Sequence, residues 1–195
     1  MKLMGIGAAI IGGCFMIHVP AWAESPSQAA MLSNTCAGCH GTNGSSAGPS
    51  MPTIAGMPEV YLLETMKKFK SGERPSSIMG RLAKAYSDEE IKIMVDFFAK
   101  HPFGREKQEV DAAKVSIGKQ IHEQRCKKCH MDNGRDSEDS GILAGQWKEY
   151  LQISMREFRS GKRPMPEKMK EKVEGEGKLT PEEVEAVIHF YASQQ

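Results

Sequence analysis

Apolar residues recur at helical spacing in two places that resemble one another. Ile91, Met94, Val95 and Phe98 form one stripe and Val184, Val187, Ile188 and Tyr191 another, with polar positions between them. Each stripe follows a start signal. Ser87 with Glu90, and Thr180 with Glu183, are capping boxes, and Pro181 stands at a first helical position. The pattern predicts a terminal helix for each half of the chain. Further helices are expected over residues 25–33, ahead of Cys126 with Ile117 and Ile121 on the apolar face, and from near Pro58 and Gln146 to the Ser-Gly turns that follow. The apolar stripes are read as core packing that holds a site, not as chemistry.

The halves repeat in detail. At an offset of 89 positions, the segment from Tyr61 through Phe69, Arg74 and Pro75 superimposes without a gap on that from Tyr150 through Phe158, Arg163 and Pro164. Two homologous domains are expected. The boundary is placed at His101-Pro102-Phe103-Gly104, which gives residues 24–101 as the first and 102–195 as linker and second. Between Cys39 and the middle helix, residues 41–56 are rich in Gly, Ser and Pro, a composition suited to close backbone approach to a flat group. The counterpart, residues 131–145, carries Asp132, Asp136, Glu138 and Asp139 and reads as a solvated loop or a docking feature for a basic partner.

Composition narrows the function. There are 26 basic and 25 acidic residues, a formal charge of +1, which argues against nucleic acid or an acidic membrane surface as the main partner. Domains of about 80 to 100 residues bury little surface without a staple or cofactor. Only 7% of residues are aromatic, so the cores are short of ring area and something else is expected to fill them. Residues 1–23 read as a signal peptide: Lys2, an apolar stretch, then Ala21-Trp22-Ala23 as a cleavage site, with no later segment apolar enough to span a bilayer. Export to the periplasm is expected, and removes Cys14 from the five cysteines.

The remaining four would pair as disulfides in an oxidising compartment, but their spacing points elsewhere. Cys36-Ala37-Gly38-Cys39-His40 and Cys126-Lys127-Lys128-Cys129-His130 are both Cys-x-x-Cys-His. In this motif two thiols add to the vinyl groups of a haem and the adjacent imidazole ligates iron. Zinc would need a second pair of ligands near each motif, and a thiol redox site would want βαβ patterning, which is missing. Two covalently bound haem c groups are therefore expected, on Cys36 and Cys39 and on Cys126 and Cys129, with His40 and His130 on the irons. Methionine is the candidate sixth ligand, because a thioether favours ferrous iron and closes the site to oxygen. Met79 lies 39 residues after His40 and Met169 lies 39 after His130. Met165, between Pro164 and Pro166, is the rival in the second domain. His101, His122 and His189 are read as surface or structural histidines, with His122 placed to form a surface salt bridge or a cofactor contact.

These residues resemble a known family, the dihaem cytochrome subunits of flavocytochrome c sulfide dehydrogenase, which are similar to dihaem cytochromes of the c4 type. The resemblance is carried by Ser77-Ile78-Met79-Gly80-Arg81, Ile142-Leu143-Ala144-Gly145-Gln146-Trp147, Arg163-Pro164-Met165 with Met169, and Phe190-Tyr191-Ala192-Ser193-Gln194-Gln195. It implies an all-α fold of two tandem class I cytochrome c domains. It also implies a separate FAD-containing subunit that oxidises sulfide, and electron transfer through this chain to a soluble periplasmic cytochrome acceptor. A free dihaem shuttle to a terminal oxidase is the alternative. Gly48-Pro49 resembles the family's Gly-Pro, whose carbonyl would orient the His40 imidazole; the second domain has Ser140-Gly141 instead. Trp147 and Phe103 are candidates for an apolar partner surface, with haem-pocket packing the other reading of Trp147.

Overall fold

The computed structural model describes residues 27–136 and 140–195. The signal-peptide reading of residues 1–23 and the acidic positions Glu138 and Asp139 lie outside them. In chain order the helices are α1 (Gln28–Asn34), α2 (Ala37–His40), α3 (Glu59–Ser71), α4 (Met79–Lys84), α5 (Asp88–Ala99), α6 (Ala112–Ile121), α7 (Met131–Gly134), α8 (Lys148–Arg159), α9 (Glu167–Glu174) and α10 (Pro181–Ala192). Among the described residues there is no strand, only an isolated bridge between Met131 and Asp136. Nor is any helix there long and apolar enough to cross a membrane.

The two terminal helices form as their patterns predict. At α5 the Ser87 hydroxyl accepts from the Glu90 amide while the Glu90 carboxylate accepts from the Ser87 amide, and Thr180 and Glu183 do the same at α10. Ile91, Met94, Val95 and Phe98 are buried on α5, and Val184, Val187, Ile188 and Tyr191 on α10. The first helix begins at Gln28 with Ser27 as its cap. On α6 the inward face differs from expectation. Ile117 is exposed, and Gly118 and Ile121 are the buried positions. A side chain at Gly118 would collide with the Ala186 carbonyl of α10, so the two backbones cross where no Cβ intervenes.

The repeat extends to the backbone hydrogen bonds. In the first domain the Gly44 carbonyl accepts from Ile54 and Ala55 and the Phe98 carbonyl from Gly56; in the second, Gly134 accepts from Leu143 and Ala144, and Tyr191 from Gly145. Gly44 and Gly134 both have φ of 85°, and a Cβ on either would strike the ring of Phe98 or Tyr191. The loop after each Cys-x-x-Cys-His turn is thus pinned under the terminal helix.

The domains meet along a seam made by these loops. The Thr53 amide donates to Gln146 Oε1 at 3.0 Å and Gln146 Nε2 donates to the Thr53 carbonyl at 2.9 Å. At the positions related by the 89-residue offset, the Ile142 amide lies 3.1 Å from Met57 Sδ. The seam therefore has approximate two-fold symmetry, like an isologous dimer interface within one chain. Ile142 and Ala144 of the second domain join the core of the first. Trp147 belongs here too: its indole lies over Gly48 and its Nε1 donates to the Ser46 carbonyl at 3.1 Å. Phe103 is buried in the first core and Trp147 half-buried against the first domain, so neither stands among the exposed apolar side chains that a partner surface would need. The middle helix α8 starts at Lys148, near Gln146 as expected and at the position related to Glu59 of α3 by the 89-residue offset.

Candidate functional site

Each Cys-x-x-Cys-His sequence lies at the end of the domain's opening helix. In the first, Cys36 begins the short turn α2, Cys36 is half-buried, Cys39 exposed and His40 buried. The His40 Nδ1 lies 2.9 Å from the Pro52 carbonyl. A carbonyl can only accept, so Nδ1 carries the hydrogen and Nε2 keeps a free lone pair. Burial lowers the His40 pKa, against the opposing effect of that hydrogen bond, which favours the neutral, ligating form. This corrects the expectation for Gly48-Pro49: Pro52 supplies the carbonyl, while Gly48 is occupied beneath the Trp147 indole.

In the second domain Cys126 is half-buried, Cys129 exposed and His130 half-buried. The Ser140 hydroxyl lies 3.3 Å from His130 Nδ1. A hydroxyl can accept as a carbonyl does, so the same tautomer is available there. Burial raises the pKa of both Cys36 and Cys126. A depressed thiol pKa is the mark of a thiol redox centre, and these two shift the other way.

The methionines take up distinct positions. Met79 is the first residue of α4 and is half-buried, its amide donating to Ser76 Oγ at 3.0 Å. Met169 is half-buried in the first turn of α9, while Met165 lies before that helix between two prolines. Ile78 and Leu82 flank Met79 at 49% and 47% exposed. Apolar side chains so placed beside a sulphur donor suit a flat apolar macrocycle. The donor set fits haem c: paired thiols one helical turn apart, a neutral imidazole with free Nε2, and a methionine on a later helix.

Between the domains sits a cluster that spacing alone does not reveal. The buried Arg74 guanidinium stacks on Phe69 at 4.5 Å, and Arg163 stacks on Phe158 at 4.1 Å. Burial disfavours the Arg74 charge, but Tyr150, Tyr61 and Glu157 outweigh it and hold the group above its ordinary range. Tyr150 responds in kind: burial pushes its pKa up, and Arg74 and Arg163 more than reverse this. The internal repeat contains all seven residues, but only the folding of one domain onto the other brings them together.

The other histidines among the described residues, His101, His122 and His189, are structural. His101 Nδ1 lies 2.8 Å from the Phe97 carbonyl. The Asp111 amide donates to His189 Nδ1, leaving Nε2 to donate to Glu185. His122 is structural as well, but not through the surface salt bridge considered from sequence. It is 1% exposed, makes no surface salt bridge, and lies 2.9 Å from the Tyr191 hydroxyl through Nδ1.

Comparison with known proteins agrees with this architecture. The family model described as "Cytochrome c" matches twice, over residues 26–102 and 115–195. The cytochrome subunit of sulfide dehydrogenase from Chlorobaculum tepidum is 43% identical over 72 residues, which are 37% of this chain and 64% of that protein. The thiosulfate dehydrogenase electron acceptor of Thiomonas intermedia is 25% identical over 169 residues, 81% of this chain and 76% of that one. Among solved structures, reduced recombinant cytochrome c4 from Pseudomonas stutzeri superimposes with a TM-score of 0.74 at 22% identity, covering 86% of this chain and 97% of the other. Two repeated helical units, each built on a Cys-x-x-Cys-His turn and each matched by the same family model, leave one assignment: the chain belongs to the cytochrome c family and carries two of its domains in tandem.

Proposed function

We propose that this chain is the electron-transfer subunit of a sulfide-oxidising flavoenzyme complex. It takes electrons one at a time from an FAD-containing partner and passes them to a soluble periplasmic cytochrome. The observation that carries the reading is the 43% identity over 72 residues to a cytochrome subunit of sulfide dehydrogenase, against 36% over 67 residues to a thiosulfate dehydrogenase electron acceptor. Cys36 and Cys39 hold one haem c and Cys126 and Cys129 the other, with His40 and His130 as the histidine ligands. Haem supplies the one-electron redox couple; the protein supplies distance, orientation and exclusion of water. The Pro52 carbonyl and the Ser140 hydroxyl orient the imidazoles, and the two-fold seam holds the domains in fixed relation. Residues 1–23 act as the export signal, with residues 24–101 and 102–195 as the working domains.

Met79 and Met169 are the sixth ligands. Support for Met169 over Met165 comes from its place: like Met79 it lies in the first turn of the helix that precedes the terminal one. Met169→Ala is expected to remove the absorption signature of thioether-ligated ferric haem from half the sites and Met165→Ala to leave it. The reverse result would reassign the ligand.

The function is tested by co-purifying the tagged protein from its native periplasm and recording absorption spectra with and without sulfide. A stoichiometric flavin-bearing partner and haem reduced by sulfide are expected. A lone dihaem protein that sulfide leaves oxidised would favour the second reading, a free dihaem shuttle to a terminal oxidase. The 32% identity over 136 residues to a cytochrome c4 supports that alternative.

A further inference from the structure

The two domains share a fold but differ beside the first cysteine of each motif. Four residues before Cys36 stands Leu32, and the ring over Gly44 is Phe98; the same places in the second domain hold His122 and Tyr191. An apolar pair in one domain is thus a buried polar pair in the other. The His122 Nδ1 is 2.9 Å from the Tyr191 hydroxyl, and that hydroxyl is close enough to the Cys126 sulphur for each to shift the other's titration. Phe190 covers the His122 ring at 5.1 Å, and the Tyr191 ring stands edge-on to His130 at 6.1 Å. His122 also opens a single π-helical turn, His122–Cys126, where the Lys127 amide reaches back to the His122 carbonyl. Such turns are rare and cluster at functional sites.

Chemistry orients this row of bonds. A thioether sulphur carries no hydrogen and can only accept, so once Cys126 is attached the Tyr191 hydroxyl can meet it only as a donor. The Tyr191 oxygen is then free to accept, and His122 must donate from Nδ1. Both donors point the same way, toward the attachment edge. The positive ends of these dipoles favour the electron-rich state of whatever that sulphur carries, and two bonds in series polarise one another. The first domain has a hydroxyl pair beside its cysteine too, but no donor for the sulphur: Tyr86 reaches Thr35, and Thr35 Oγ1, 3.8 Å from Cys36 Sγ, spends its only hydrogen on the Leu32 carbonyl at 2.6 Å.

We propose that His122 and Tyr191 are positioning residues that raise the reduction potential of the second haem above the value the shared fold would give it, and so bias electrons toward the second domain. This rests on Cys126 and Cys129 holding haem. It requires no change of charge on His122.

The test uses the dihaem protein with the first-domain residues grafted into the second: Tyr191→Phe and His122→Leu. Haem content and circular dichroism are checked first, and the redox titration is then followed by absorption as two one-electron components. The second haem is identified as the component missing from a Cys126→Ala/Cys129→Ala variant. At a fixed potential Tyr191→Phe is expected to raise the oxidised-to-reduced ratio of the second haem about tenfold, a shift of 59 mV for one electron, with the first haem unmoved. His122→Leu should shift it the same way by less, because Tyr191 can still donate; this variant also reads out the effect if Tyr191→Phe folds poorly. Two haems with unmoved potentials, or equal shifts in both, would overturn the inference. A wild-type protein without haem on the second motif would instead overturn the haem assignment beneath it.

Discussion

Gly118→Ala is expected to destabilise the second domain by about 3 kcal/mol, although alanine is the better helix former. Two effects compete. In the interior of α6 the substitution gains about 1 kcal/mol of helix propensity. Against this, the new Cβ would run into the Ala186 carbonyl oxygen and lie 2.8 Å from Phe190 Cβ. A carbonyl oxygen in a helix cannot rotate away, so α6 and α10 must separate. Their separation loosens the packing of Ile121 against the α10 stripe of Val184, Val187 and Ile188. For a domain of this size the net loss corresponds to a fall in midpoint of roughly 15 °C, measurable by thermal melting followed at the second domain. A midpoint at or above wild type would show that the two helices do not cross at this residue.

The double variant Cys126→Ala/Cys129→Ala is expected to halve the covalent haem content and leave the second domain largely unfolded. This domain has a small core of its own, Ile121, Leu151, Leu179 and residues of α10 with Phe190 among them. Domains of this size are marginal without a cofactor or staple. Deleting both thiols removes the tether that keeps haem in that core. The first domain should keep its haem, because the site proposed for it, Cys36, Cys39 and His40 with the bond from His40 to Pro52, is local to that domain. It should nevertheless lose stability, since Ile142 and Ala144 complete its core. Haem stoichiometry, helical circular dichroism and limited proteolysis together report the result. A native-like second domain lacking covalent haem would show that its core needs no cofactor mass.

Features held within a turn or two of chain are legible in the amino-acid sequence alone. The Cys-x-x-Cys-His motifs, the capping boxes at Ser87 and Thr180 and the stripes on α5 and α10 are all local patterns, so residue spacing reports them directly. The tandem repeat is legible for the same reason, as a pattern compared with itself. The loop geometry around the sites is not. Whether Pro49 or Pro52 turns its carbonyl to His40 depends on how the loop is pinned beneath Phe98 and clamped by Trp147 from the other domain.

By itself, then, the sequence determined the number of domains, their helical character and the chemistry of the attachment turns, because these follow from short-range periodicity and side-chain identity. Only the tertiary structure decided how the domains join, through Gln146 and Thr53, 93 residues apart in sequence. It likewise turned Gly118 rather than Ile117 toward α10, and brought His122 to Tyr191 across 69 residues. Such contacts are set by the crossing of helices and the docking of one domain on another. Local spacing does not encode them, because nothing in a turn of helix specifies which distant surface will lie against it.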